Sequence, residues 1–296
     1  MTSSTLATRP VGTTPLPAAL EMGAVRLRVR DAARSLAFYT GTVGLTVLGT
    51  GTDGIIRLGA GAKTIIELEV SPEARPHHPG TTGLFHVAIL VPDRPALAVV
   101  AHRLVAQNVR LGASDHLVSE ALYLDDPDGN GIEIYRDRRP DEWNWDGATI
   151  EMATYRLDLR ALITEAPAGV PLDAPMPAGT KVGHVHLQVG DLATAGRFYV
   201  DRLGFDVTTD RYPGALFVSA GRYHHHLGLN VWHSRGGGPA PAGSVGLVHF
   251  DVALPDAEAI EALRARLLAA GESVIPVERG FSIADPWGTR LQIRAA

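Results

Sequence analysis

The stretch Y-L-D-D-P-D-G-N-G-I-E-I-Y, residues 123–135, contains two strand-like segments joined by a turn. At its centre, proline fixes its own φ angle, and glycine and asparagine accept positive φ angles, so the stretch predicts a hairpin. After the turn, Ile132 and Ile134 alternate with Glu133, which places the carboxylate on the opposite face of the strand. A buried carboxylate without a partner is too costly to persist. We therefore expect Glu133 to face the concave side of a sheet and to share a metal ion with two histidines.

The composition narrows the kinds of protein and site that remain. The chain has 296 residues, enough for two domains, and its net charge of −5 comes from mixed charges. This balance favours neither a nucleic-acid partner nor a membrane-surface helix. The sequence has no cysteine, so a metal site would need histidine, carboxylate or other oxygen ligands.

Residues 1–20 are rich in threonine, proline, alanine and serine and lack the apolar core of a secretory signal. We expect a flexible N-terminal arm there, and a cytoplasmic protein. The longest apolar runs, such as residues 85–91, have the length of a strand, so no segment is expected to span a membrane.

The rest of the chain contains a fourfold repeat. Four segments begin alike, and each reads as an alternating strand, a helical stretch and three further strands; they start at Gly23, Gly83, Gly183 and Gly246. In the first and third segments, Asp31 and Asp191 stand where a helix N-cap is expected.

The repeats match in two pairs. Five residues of the first repeat recur 160 positions later in the third repeat: Gly23, Asp31, Phe38, Tyr39 and Gly44 correspond to Gly183, Asp191, Phe198, Tyr199 and Gly204. Four residues of the second repeat recur 163 positions later in the fourth repeat: Gly83, His86, Pro92 and Asp93 correspond to Gly246, His249, Pro255 and Asp256. Self-similarity at fixed spacing indicates duplication, so a two-module unit is used twice.

A module of about fifty residues with one curved sheet cannot cover both of its faces alone. The predicted fold class is therefore α+β, with four βαβββ modules paired into two barrel-like clefts. The predicted two-module domains span residues 22–137 and 182–296, and residues 138–181 form a linker or lid that is unusually long for a compact domain. Residues 158–164 are predicted to form a short helix within this connection.

Three motifs carry a family resemblance: the run that extends the hairpin stretch back to residue 115, G-H-V-H-L at 183–187, and S-A-G-R-Y-H-H-H-L-G-L-N at 219–230. With them the chain resembles the vicinal oxygen chelate superfamily of glyoxalases, bleomycin-resistance proteins and extradiol dioxygenases, and is most similar to two-domain catechol 2,3-dioxygenases. The resemblance implies paired βαβββ modules around a metal. In the dioxygenases this metal is usually Fe(II), held by two first-strand histidines and one last-strand glutamate.

Transferred to this sequence, the resemblance implies His86, Glu133 and His184 as metal ligands. This set requires the second module to face the third. Many relatives build the site from the last two modules, which here offer His184, His249 and Gln292, and this alternative stays open. An amide brings no negative charge to balance Fe(II), which favours the first set. Mn(II) accepts the same ligands as Fe(II).

The resemblance also implies roles for further residues. His225 aligns with an acid/base histidine, Tyr123 with a tyrosine that hydrogen-bonds substrate oxygens, and His116 with a histidine that contacts substrate. His186 and His224 are further candidates for substrate binding. Each has a structural alternative, because a tyrosine can be a core residue with a satisfied hydroxyl and a histidine run can be polar surface.

The implied function is an extradiol dioxygenase of aromatic hydrocarbon catabolism. It would insert O2 into a small aromatic diol of the catechol type and release a 2-hydroxymuconic semialdehyde type of product. One alternative is a glyoxalase-like metal-dependent lyase or isomerase, although residues 225–232 lack the second glutamate that such sites use as a base. Another is a metal-free protein that binds an aromatic drug. A homo-oligomer is compatible with the sequence.

Overall fold

The computed structural model describes residues 14–296, and its elements follow the fourfold repeat. The first repeat contains β1 (Glu21–Val29), α1 (Ala32–Leu36), a π-helical turn (Ala37–Val43), β2 (Thr46–Thr50), β3 (Ile56–Ala60) and β4 (Lys63–Val70). The second contains β5 (Gly83–Leu90), α2 (Arg94–Ala106), β6 (Gly112–Asp115), β7 (Ser119–Asp125) and β8 (Gly131–Asp137).

The connection between the two halves has structure of its own. It contains a 3-10 turn (Pro140–Glu142), β9 (Trp145–Asp146), β10 (Thr149–Ile150), β11 (Tyr155–Arg156) and α3 (Leu159–Ile163). The third repeat contains β12 (Lys181–Gln188), α4 (Leu192–Gly196), a π-helical turn (Arg197–Arg202), β13 (Asp206–Thr209), β14 (Ala215–Ser219) and β15 (Leu227–Asn230). The fourth contains β16 (Gly246–Leu254), α5 (Ala257–Ala269), β17 (Val274–Val277), β18 (Gly280–Ala284) and β19 (Arg290–Ala295).

The repeats are paired between the halves of the chain. A nine-stranded sheet joins the second and third repeats in the order β11-β6-β7-β8-β5-β12-β15-β14-β13. An eight-stranded sheet joins the fourth and first repeats in the order β17-β18-β19-β16-β1-β4-β3-β2. The antiparallel pairs β5–β12 and β1–β16 are the central seams. The predicted α+β fold of four βαβββ modules is confirmed.

Aspartates of the repeats cap helices and hold turns. Asp31 and Asp191 each accept a hydrogen bond from a backbone N–H three residues later, as their sequence context predicts. The Tyr39 hydroxyl donates to Asp126 at 2.9 Å, and the Tyr199 hydroxyl donates to Asp285 at 3.0 Å. These buried bonds tie each odd repeat to the turn that begins the last strand of the following even repeat.

The connection bridges the two ends of the nine-stranded sheet. Strand β11 pairs with β6 at one end, and the β9–β10 hairpin contacts β13 at the other. The predicted short helix is present as α3, and Asp158 caps it by accepting from the N–H of Ala161. The open side of the curved sheet is therefore crossed by residues of the connection.

The predicted flexible arm is corrected in part. Its residues 1–13 lie outside the described residues, but Leu16 and Leu20 are buried in the core. The Leu16 N–H also donates to the Gly204 carbonyl at 3.0 Å, so residues 14–20 are packed against the third repeat. Within residues 14–296, no helix is both long and apolar enough to cross a membrane.

Candidate metal centre and cavity

The hairpin of β7 and β8 orients Glu133. Strands β7 and β8 flank the turn, whose backbone is held by Asp126 accepting hydrogen bonds from the N–H groups of Asp128 and Asn130. Ile132 and Ile134 are buried in the core, and Glu133 points the opposite way into a cavity. The alternation read from the sequence therefore predicts the direction of the carboxylate correctly.

His86 on β5, the strand next to β8, and His184 on β12, the strand beyond it, both meet Glu133. Their Nε2 atoms lie 2.8 Å and 3.1 Å from Glu133 Oε2. One ligand atom from each residue lies within 4.8 Å of the others, and all three residues are buried. Within residues 14–296, no other cluster of histidine, cysteine, aspartate and glutamate side chains meets this geometry.

The chemistry of this cluster fits a divalent metal. The contact of His86 Nε2 with Glu133 does not have hydrogen-bond geometry, so among the described residues this buried nitrogen has no hydrogen-bond partner. Burial lowers the pKa of His184 and so favours the neutral imidazole that a metal requires. Two imidazoles and one carboxylate on one side of a cavity match the facial triad of non-haem iron sites.

His225 lines the same cavity beside His184, with ring centroids 4.1 Å apart. Burial, together with the charges of His184 and other histidines, holds the pKa of His225 well below its usual range, so the ring is neutral near pH 7. Its Nδ1 atom lies 2.8 Å from Nδ1 of His224. Nε2 is therefore the nitrogen that remains for a ligand in the cavity.

The interpretation of His224 as a substrate contact is corrected. His224 does not line the cavity as the described residues form it. Its side chain is fully buried next to His225. Its Nε2 atom lies 2.8 Å from Oδ1 of Asp137. The triple histidine lies in an irregular turn that precedes β15.

Tyr123 and His116 form a hydrogen-bonded pair on the cavity wall. The Tyr123 hydroxyl lies 2.7 Å from His116 Nε2, and His116 Nδ1 lies 2.7 Å from the Ala153 carbonyl. A carbonyl only accepts, so His116 carries its proton on Nδ1 and its Nε2 accepts from Tyr123. Burial, reinforced by the charge of Glu133, raises the pKa of Tyr123 well above its ordinary value and keeps the hydroxyl protonated.

His186 lines the cavity within a wall of aromatic side chains. Its Nε2 atom accepts a hydrogen bond from the Asn230 amide at 3.0 Å, and its ring packs on Phe85 and Trp232. Gly228 makes room for this ring, because a Cβ there would lie 2.8 Å from it.

Phe85 is a cavity residue that strand alternation does not reveal. A register shift in the β5–β12 pairing matches His186 with His86 but Leu187 with Leu84, so Phe85 is the extra residue of a bulge. As a result, Phe85 and its neighbour His86 both line the cavity.

The cavity has a volume of about 320 Å³. Its remaining lining residues come from strand ends, loops and the connection, and they are Ser114, Ser119, Met152, Thr154, Tyr212, Phe217 and Trp232. Met152 and Thr154 belong to the connection, which the sequence marks only as unusually long.

The alternative ligand set is divided between the two sheets. His249 and Gln292 lie on β16 and β19 of the eight-stranded sheet, whereas His184 lies on β12 of the nine-stranded sheet. The eight-stranded sheet carries ion pairs at corresponding positions. Arg26, which corresponds to His186 at the spacing of 160, pairs with Glu67 at 2.7 Å.

Known proteins match the chain at the level of family and fold. The family model described as the glyoxalase/bleomycin resistance protein/dioxygenase superfamily matches residues 21–134 and 181–293. A catechol-2,3-dioxygenase from Bacillus subtilis (strain 168) is 42% identical over 270 residues, which cover 90% of this chain and 93% of that protein.

Solved structures agree with this fold. A candidate dioxygenase from Bacillus subtilis aligns over 95% of this chain and 86% of its own, with a TM-score of 0.67 and 17% identity. Glyoxalase I from Zea mays aligns over 94% and 92%, with a TM-score of 0.57 and 17% identity. At these identities the likeness concerns the fold alone.

Proposed function

Since the chain belongs to the glyoxalase/bleomycin resistance protein/dioxygenase superfamily, we propose that it is an extradiol dioxygenase that uses Fe(II) to cleave a catechol-type diol. Both atoms of O2 enter the product as the carbon–carbon bond beside the two hydroxyl groups breaks, which gives a 2-hydroxymuconic semialdehyde type of compound. The observation that carries the proposal is the convergence of His86, Glu133 and His184 on one point of a cavity that also presents His225 and Tyr123. The similarity to a catechol-2,3-dioxygenase supports it.

The three metal ligands have one task, and the cavity residues His225 and Tyr123 have others. When bound by His86, Glu133 and His184, Fe(II) would supply Lewis acidity and open coordination positions for the two substrates. His225 accepts a proton from a catechol hydroxyl at Nε2 and later returns one, because its Nδ1 is engaged by His224.

Tyr123 acts as a neutral group that holds its proton. Burial raises the pKa of its hydroxyl well above the ordinary value, so the hydroxyl keeps the proton that it donates to His116, and its oxygen remains available to accept a hydrogen bond from a substrate hydroxyl. His116 fixes the position of that hydroxyl at 2.7 Å. The aromatic side chains around the centre exclude water and favour the flat face of a substrate ring.

The proposal is tested by anaerobic reconstitution with Fe(II), followed by catechol and air. A yellow ring-opened product supports it, and a parallel reconstitution with Mn(II) decides between the two metals. Isomerisation of a hemithioacetal without ring cleavage would favour a glyoxalase-type activity instead. Tight binding of an aromatic ligand by metal-free protein, with no turnover under any metal, would favour a binding protein.

A further inference from the structure

The cavity is nearly free of charge outside the proposed metal ligands. Its described lining residues include no lysine or arginine, and their only carboxylate is that of Glu133. On one side lie the aromatic rings of Phe85, Phe217 and Trp232, and Phe85 and Trp232 pack with ring centroids 5.4 Å apart. A substrate substituent that leaves the metal centre therefore meets apolar walls and a few neutral polar groups.

Two arginines near the lining residues in sequence, Arg138 and Arg211, are engaged by carboxylates, whereas Arg156 is exposed and is not among the described lining residues. Arg211 precedes Tyr212, and its Nη2 atom lies 2.7 Å from Asp146 Oδ2. Arg138 pairs with Asp115 at 2.6 Å. A negatively charged substituent could recruit either cation only at the expense of an existing ion pair.

The far wall of the cavity comes from the connection between the halves. Met152 and Thr154 line the cavity, and the Thr154 hydroxyl lies 2.8 Å from the hydroxyl of Tyr212, another lining residue. The Ala153 carbonyl between them holds His116. Because the connection bridges both ends of the nine-stranded sheet, its residues bound the space that a ring substituent can occupy.

From these observations we infer that the site selects neutral catechols with an apolar alkyl or aryl substituent and discriminates against catechols that carry a carboxylate side chain. The inference rests on the proposed function and adds the class of substrate. The cavity volume of about 320 Å³ suits one ring with a modest substituent. A carboxylate in this space would lose its hydration without gaining a cation, and such mismatches of polarity produce large discrimination.

The experiment compares catechol, 4-isobutylcatechol and 3,4-dihydroxyphenylacetate with Fe(II)-loaded protein. The last two compounds have branched substituents of nearly equal shape, and the acid carries a charge. We expect kcat/KM for the acid to be lower by about a hundredfold or more. Equal values, or a preference for the acid, would overturn the inference while cleavage of catechol still supports the proposed function. Failure to cleave any of the three would remove both.

Two variants of the connection test whether it sets the preference against the charged substrate. Met152→Arg places a cation at the wall without changing the metal centre, and Met152 is only partly buried, so the longer side chain has room. We expect the preference against the acid to shrink by about tenfold or more. Val170→Arg is the matched control, because Val170 is 40% exposed in the same connection and lies outside the described cavity lining. An unchanged preference in Met152→Arg, or an equal change in the control, would show that the connection does not set selectivity.

Discussion

The Nδ1 atoms of His224 and His225 lie 2.8 Å apart, so one ring donates a hydrogen bond and the other accepts it. The Asp137 carboxylate decides the direction, because it accepts from His224 Nε2 at 2.8 Å. The Nδ1 atom of His224 then has a free lone pair and accepts from His225. Asp137 thus orients a cavity histidine through a second histidine, although its own side chain is partly exposed on the other side.

Asp137→Ala removes this orientation and should lower kcat by about tenfold or more, with a smaller change in KM. Asp137 also accepts from the Tyr223 hydroxyl at 2.9 Å, so thermal unfolding must be recorded alongside steady-state kinetics. Asp141→Ala is the control, because Asp141 pairs with Arg139 on the surface. Asp137→Asn retains a carbonyl acceptor and should recover part of the activity. An unimpaired kcat in Asp137→Ala would contradict the positioning role.

Glu133→Ala should abolish metal retention, whereas Gln292→Ala should leave it unchanged. The two residues occupy corresponding positions in the even repeats, but only Glu133 lies among histidines. The measurement is the metal content after gel filtration of Fe(II)-loaded protein. In addition, bound metal should raise the unfolding temperature of the wild type and of Gln292→Ala, and not that of Glu133→Ala. Metal loss in Gln292→Ala alone would move the site to the other sheet.

Tyr123→Phe should lower kcat by about 10- to 100-fold, since it removes one positioned hydrogen-bonding group from the cavity. The free energy of unfolding should fall by only about 1 kcal/mol, because one buried hydrogen bond to His116 is lost. Steady-state kinetics and urea unfolding of the same preparation separate the two effects. The role of Tyr123 would be only structural if stability fell and kcat did not.

Asp251→Asn should stabilise the protein near neutral pH. Burial raises the pKa of Asp251 from 3.8 to about 6, and Oδ1 has no hydrogen-bond partner within residues 14–296. The native state therefore binds this proton more tightly than the unfolded chain does. The contribution of Asp251 to stability is fully present below pH 3.8 and is lost as the pH rises through about 6. The loss amounts to about 3 kcal/mol at most, and the variant should not show it.

Urea unfolding of wild type and Asp251→Asn from pH 4 to pH 8 measures this difference. Burial lowers the pKa of the neighbouring His249 to about 3, which gives a stability contribution that grows with pH. His249 is present in both proteins, so subtracting the two curves largely removes its contribution. A difference that does not grow between pH 4 and pH 6 would refute the assignment.

Local rules account for the parts of the structure that the sequence predicts. The turn residues before β8 fix the hairpin, and period-two alternation aims Glu133 away from Ile132 and Ile134. Ligand chemistry favours the pairing of the second and third repeats, because the ligand set within the second half, His184, His249 and Gln292, brings no negative charge to a metal. Charge balance at a metal therefore identifies a long-range contact that periodicity alone does not.

The residues that escape prediction depend on departures from regular geometry. Phe85 reaches the cavity through a bulge, and His224 faces Asp137 instead of the cavity. Met152 and Thr154 lie in a connection whose sequence shows no strand period. Their positions are determined by contacts with both ends of a sheet that is assembled from other segments.

The seam between β1 and β16 joins residues 21–29 to residues 246–254. During synthesis on the ribosome, β1 therefore stays unpaired with β16 until more than two hundred further residues have emerged. Neither half can bury its apolar faces by itself, so each nascent half exposes sheet edges that can aggregate. We expect a chaperone to raise the yield of folded protein. Cutting the gene within the connection should give two fragments that are insoluble when made separately and that complement each other when made together.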